Sequence, residues 1–301
     1  MARTGGVFIV SVWLIAAPLS AQPAKPPDRE TIDFIKGLRN SDGGYAPAPD
    51  RPGTPVRSSL RATTAAIRAL KYLIGGEPPD SVATARFVEK CFDKATGGFG
   101  DYPGEGASVN ATAVGAMTLV DMKMPTESYR DSIVRYLDAN TKSVEDMRIT
   151  AAAFEALQVR PSKADDWLKQ IAATRNADGT FGMDRGIARA TGGTAVMILR
   201  LGGTIENREA VLKAMRSGQR PDGGFGSTDR DGSDLESTYR VMRAFVMLKA
   251  QPADPAKLRS YVTRCRSAAG GYGTMPGQPP TAAGSYYAIT VSHWLDQTEP
   301  R

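Results

Sequence analysis

Two kinds of helical pattern alternate along the chain. The first carries one apolar stripe on an otherwise polar segment. Residues 31–39 place Ile32, Ile35 and Leu38 on one face, and residues 81–92 do the same with Val82, Phe87, Val88 and Cys91. Further copies fall at 126–139, 162–174, 205–217 and 254–266. The second kind is rich in small residues and poor in charge, at 59–73, 109–122, 146–159, 188–201, 235–249 and 282–295. A helix with one apolar stripe buries one side, whereas a helix apolar on most sides is buried on most sides. Six pairs of outer and inner helices in strict alternation predict an all-α fold, an (α/α)6 toroid.

A glycine motif sits between the two helices of each pair. It reads Asp42-Gly43-Gly44-Tyr45, Gly97-Gly98-Phe99-Gly100, Asp178-Gly179-Thr180-Phe181-Gly182, Asp222-Gly223-Gly224-Phe225-Gly226 and Gly270-Gly271-Tyr272-Gly273. The gap between the aromatics at 99 and 181 is about twice the others, so a degenerate copy is expected near Ser143. Glycine tolerates positive φ and so suits the tight turn between layers. The aromatic after it is read as a wedge between neighbouring pairs.

Composition agrees with a globular chain, at 41% hydrophobic and 23% charged in 301 residues. The single histidine, His293, excludes sites that need two or more imidazoles. Two cysteines, Cys91 and Cys265, are too few for a disulfide framework and are expected as free buried thiols. The formal net charge of +6 is mild and its basic residues are scattered, so no nucleic-acid partner is expected.

Residues 1–21 read as a signal peptide, with Arg3 ahead of an apolar run from Val7 to Ala17 and a small residue, Ala21, at its end. The run is too short for a bilayer span, and no later apolar stretch reaches about 18 residues. The expected organisation is signal 1–21, Pro-rich linker 22–27, toroid 28–297 and tail 298–301, with no transmembrane segment after cleavage and an extracytoplasmic (periplasmic or secreted) location.

The helix–DGGFG–loop–helix repeat resembles the prenyltransferase and squalene-cyclase repeat superfamily. Within it the chain is most similar to protein prenyltransferase β subunits, notably that of the type II geranylgeranyl transferase. The resemblance implies a prenyl diphosphate substrate and a rim zinc ion, held by an Asp-x-Cys run at the start of the fifth inner helix and a His at the start of the sixth. Here Asp234 matches the Asp, Glu236 stands where the Cys would be, and Ala283 or a neighbour stands where the His would be. His293 lies about 12–15 Å further along the helix at 1.5 Å per residue. Carboxylates alone are poor ligands for a thiophilic metal.

Aligning the inner helices by their small residues puts Arg61, Asn110, Arg148, Arg189, Glu236 and Ala283 at equivalent rim positions. With Asp234, the five polar ones form the candidate site: either an ion network or a site for an anion, since a buried charge must be paired or face water. Asp229, Asp231, Asp234 and Glu236, with Gly232 among them, also have some of the spacing of a calcium loop. Carboxylates there equally suit a helix N-terminus.

The expectation is an exported prenyltransferase-like toroid that has lost the zinc site for thiol prenylation and serves as a binding scaffold. Its partner would be an apolar or anionic small ligand, or another protein, and no cofactor is expected. The alternative is an active prenyl transferase with zinc.

Overall fold

The computed structural model describes residues 28–50, 52–75, 81–228 and 232–298. The expected signal and linker, Asp229, Asp231 and the last three residues lie outside them.

The outer helices are α1 (Arg29–Gly37), α3 (Ser81–Lys90), α5 (Glu127–Asn140), α7 (Ala164–Ala172), α9 (Arg208–Ser217) and α11 (Pro255–Arg264). The inner ones are α2 (Leu60–Ile74), α4 (Val109–Asp121), α6 (Val144–Ala156), α8 (Ile187–Arg200), α10 (Leu235–Met247) and α12 (Ala282–Thr298). Each inner helix packs on the next, and α12 returns to α2, which closes the ring as an (α/α)6 toroid. A two-residue antiparallel pair, β1 (Phe92–Asp93) and β2 (Gly98–Phe99), frames the second turn.

One hydrogen bond repeats around the ring and fixes its register. The N–H of the motif aromatic donates to a hydroxyl early in the following inner helix. The pairs are Tyr45 to Thr63 (2.9 Å), Phe99 to Thr112 (2.9 Å), Phe181 to Thr191 (3.0 Å), Phe225 to Thr238 (3.1 Å) and Tyr272 to Ser285 (3.1 Å). All five aromatics therefore sit at the end of the toroid where the inner helices begin. The third turn lacks glycine and aromatic, yet the Thr150 hydroxyl occupies the same place and meets Thr141 Oγ1 at 2.9 Å. Ser143 there forms a capping box with Asp146, which starts α6 without the motif.

The first motif glycine has two constraints. At Gly223 φ is 94°, and an added Cβ would strike the Lys257 carbonyl of the next outer helix. The same holds at the seam, where Gly270 faces the Glu30 carbonyl of α1. Turn and inter-repeat packing thus share one residue. Arg266 adds ion pairs to Asp28 (3.1 Å) and Glu30 (2.7 Å) across that seam.

Trp167, Phe99, Phe225 and Phe245 fill the layer between inner and outer helices. Cys91 and Cys265 are free and buried, and burial pushes their thiols up to about 12 and about 11. Among the described residues no helix is long and apolar enough to cross a membrane.

Candidate functional site

The inner helices enclose a lumen of about 530 Å³. Its wall is charged. A side chain on an inner helix that points away from the outer layer has only the lumen to enter, and a charge there needs water or a partner.

The repeated hydrogen-bond register places Arg61, Asn110, Arg148, Arg189, Glu236 and Ala283 two residues before the six turn-binding hydroxyls, at one level of the rim. Three of the expected side chains join one network. Arg148 meets Glu145 (2.6 Å), Glu145 meets Arg240 (3.1 Å), Arg240 meets Glu236 (2.6 Å), and Glu236 meets Arg189 (3.4 Å). The chain runs across α6, α10 and α8. Burial alone would raise the Glu145 carboxyl, but Arg148 and Arg240 hold it down at about 2. Arg61 stands apart, bound to Asp101 through Nη2 at 2.8 Å and Nε at 3.0 Å. Asn110 lines the lumen.

Asp234 is not in the network. It caps α10, accepting from the Ser237 N–H at 2.7 Å and the Ser237 hydroxyl at 2.8 Å, so both carboxylate oxygens are engaged. Of the expected calcium set, Asp229 and Asp231 lie outside the described residues, while Asp234 and Glu236 have these other partners. His293 packs against Tyr72 with ring centroids 4.5 Å apart and planes tilted by 37°, and it shares a hydrogen bond with Gln297 at 2.9 Å, ten residues beyond Ala283 on the same helix. Among the described residues no group of three or more His, Cys, Asp or Glu side chains is placed to hold a metal.

The deeper lumen is where sequence reasoning fell short. Four and seven residues beyond the rim positions come Arg240, Arg68, Glu155 and Arg243, one and two turns down the same helix faces. Arg68 Nε donates to Asp121 at 2.6 Å, and Arg200 Nε donates to Glu155 at 2.8 Å. Both guanidinium groups are largely enclosed. Burial works against the charge on Arg68, but Tyr286 and Asp121 outweigh it and raise its pKa.

Arg243 is different. Its Nη2 donates to the Tyr239 hydroxyl at 2.9 Å, its guanidinium lies over the Trp294 ring at 4.6 Å, and its buried Nε has no partner. Tyr239 also shares a hydrogen bond with the Tyr286 hydroxyl at 2.8 Å and stacks on Trp294. Burial would raise the Tyr239 phenol, but Arg243 and Arg68 prevail and push it down to about 8. Burial pushes Tyr286 upward.

The two glycines inside α8 do separate jobs. A Cβ on Gly192 would crowd Met215 Sδ at 3.2 Å and Val241 Cα at 3.3 Å, so Gly192 allows α8 and α10 to approach. Gly193 has open space beside it and widens the lumen.

The model of the prenyltransferase alpha-alpha toroid domain matches residues 12–147 and 128–300. No curated protein matches by sequence. Among solved structures, the type II terpene cyclase MstE from Scytonema superposes with a TM-score of 0.61 at 10% identity, over 90% of this chain and 96% of that one. Candida albicans protein geranylgeranyltransferase-I complexed with GGPP gives a TM-score of 0.64 at 13% identity, over 89% and 91%. A glycosidase variant gives 0.56 at 13% identity, over 90% and 95%. At such identities the likeness shows the fold alone, and three different activities are named on it.

Proposed function

This chain belongs to the prenyltransferase alpha-alpha toroid family, and we propose that it is an exported member that binds a polar, anionic small ligand in its lumen and does not carry out zinc-dependent thiol prenylation. The observation that carries the reading is the state of the three positions matching the family's zinc site. Asp234 is consumed in capping α10, Glu236 is neutralised by Arg240 and Arg189, and Ala283 has no donor atom. The donor set does not fit zinc, which favours thiolate and imidazole nitrogen.

The lumen supports the same reading. A prenyl chain seated there would strip water from the Arg68, Arg200 and Arg243 guanidinium groups, at several kcal/mol per ion by the order of magnitude for burying charge. A polar anion replaces that water with hydrogen bonds. Export rests on the signal-like pattern of residues 1–21.

The test is elemental analysis of the purified mature protein, followed by incubation with geranylgeranyl diphosphate and a cysteine peptide. We expect substoichiometric zinc and no transfer even with zinc added. Stoichiometric zinc together with thiol prenylation would revive the transferase seen in the fold's other members. For the address, cell fractionation and N-terminal sequencing should find a mature chain starting near Gln22 outside the cytoplasm; an uncleaved cytoplasmic protein would refute it.

A further inference from the structure

We propose that the floor of the lumen is a binding site for the carboxylate of a small monoanionic molecule, taken up by Arg243 between Tyr239, Tyr286 and Trp294. This rests on reading the toroid as a binding scaffold and names the place and the chemistry of its ligand.

Charge accounting around the lumen singles the place out. Arg61, Arg68, Arg148, Arg200 and Arg240 each have a carboxylate within ion-pair distance. Among the described residues Arg243 has none. Its enclosed Nε has no acceptor, and its guanidinium forms part of the cavity wall. A buried guanidinium without a counter-charge is expensive to keep, and a charge-assisted bond to an incoming oxyanion recovers much of that cost. Stacking on Trp294 holds the guanidinium plane and leaves its edge for in-plane donation. The Tyr239–Tyr286 hydroxyl pair spends one O–H on its own hydrogen bond and has the other left to donate at the same point.

The size of the missing charge selects the ligand. Among the enclosed cations only Arg243 lacks a carboxylate, because Arg68 and Arg200 already face Asp121 and Glu155; Lys71, which shares Asp121 with Arg68, is 57% exposed and is balanced by water. A single negative charge balances the floor. A diphosphate would bring two or three and leave the excess buried. The rings of Tyr239, Tyr286, Tyr287 and Trp294 adjoin the site, so the carboxylate can carry a flat or apolar body of modest size.

Tyr239 makes the site sensitive to pH. With no ligand, its phenolate is the nearest negative charge that Arg243 can acquire. The groups facing it are Arg243 on α10, Arg68 and Tyr72 on α2, and Tyr286 and Tyr287 on α12. Arg200 of α8 faces it as well, balanced by Glu155 of α6, and Asp121 of α4 balances Arg68. The cations prevail, so the phenol loses its proton near pH 8. Carboxylate and phenolate then compete for one positive charge. Affinity is full while Tyr239 is protonated and falls as pH rises through about 8, by up to tenfold per pH unit, with a proton taken up on binding.

Calorimetric titration of the mature protein with benzoate and acetate tests this, with inorganic phosphate and sulfate in parallel, at about pH 6.5 and about pH 9.5. We expect benzoate to bind at the lower pH and at least about tenfold more weakly at the higher one. Arg243→Gln should weaken binding about tenfold or more, and Arg243→Lys by less. Tyr239→Phe should lose the pH dependence, remove one tyrosine from the absorbance titration near pH 8, and weaken low-pH binding less than Arg243→Gln does, since it takes away a hydroxyl and not the cation. Circular dichroism confirms that each variant is folded. If no carboxylate binds the wild type, or if Arg243→Gln binds benzoate as well as the wild type, the proposal fails. Preferential binding of phosphate and sulfate would overturn the monoanion assignment. Any of these results can coexist with absent zinc and absent prenylation, so failure here is separable from failure of the scaffold reading.

Discussion

Rim and floor of one lumen are built from the same faces of the same helices, about two turns apart, and they use arginine differently. At the rim Arg148, Glu145, Arg240, Glu236 and Arg189 alternate in sign and form a continuous chain across α6, α10 and α8. Its carboxylates are open to water, with Glu236 at 41% and Glu145 at 60% side-chain exposure. At the floor the Arg68–Asp121 pair is enclosed, the Arg200 guanidinium is enclosed although its partner Glu155 reaches water, and Arg243 is left with tyrosines and a tryptophan. Alternating exposed charges tie helices together at little gain or cost. An enclosed cation without a carboxylate costs stability, and on this difference rests the proposal that the rim serves structure and the floor binding.

Three substitutions and one titration bear on this division. The largest effect is expected from Asp121→Ala, which strands the enclosed Arg68 guanidinium, with 21% exposure, and removes a contact of Lys71 as well. The expected loss is roughly 3–5 kcal/mol in urea unfolding; a loss near that of an exposed pair would show that Arg68 is no more enclosed than the rim. Glu236→Ala at the rim should cost about 1 kcal/mol or less, because Glu145 retains Arg240 and the site is open to water. A larger loss would move the rim into the enclosed class. Arg243→Gln should change stability by less than about 1 kcal/mol in either direction, since relief of the uncompensated charge is offset by loss of the Tyr239 hydrogen bond and the contact over Trp294. The smallest effect is the acid dependence of the rim. Glu145 has its pKa depressed from 4.5 to about 2, so its contribution is fully present above about 4.5 and disappears as pH falls through about 2. The stability gap between wild type and Glu145→Gln should close over that interval; a gap that grows with acid would contradict the sign.

The fold was legible because the toroid writes the same turn into the chain again and again. Gly223 shows why the signal is strong: φ of 94° and the nearby Lys257 carbonyl both forbid a side chain. The third turn escaped the pattern because Ser143 and Asp146 cap α6 by other means, yet its place followed from the spacing. The rim level was legible too, since Arg148, Arg189 and Glu236 are charged islands at one register of small-residue helices. Their partners were not. Glu145 lies off the aligned position, and Arg61 binds Asp101, a residue of the next turn, 40 positions away. The floor was missed although Arg68 and Arg243 recur seven residues beyond Arg61 and Glu236. Sequence shows the period but not that these faces surround a lumen. Nor can it show that, among the described arginines lining the lumen, Arg243 is the one that lacks a carboxylate, because pairing depends on which helices stand opposite. Asp234 had two readings in the sequence, a member of the rim cluster or the cap of its own helix, and it caps, a local use that outcompetes the longer reach.

Thermal unfolding with and without benzoate, run side by side on Glu236→Ala and Arg243→Gln near pH 6.5, tests the division most directly. The account predicts that the ligand-induced rise in Tm survives in Glu236→Ala and vanishes in Arg243→Gln. A rise that persists in Arg243→Gln and is lost in Glu236→Ala would place binding at the rim and contradict it.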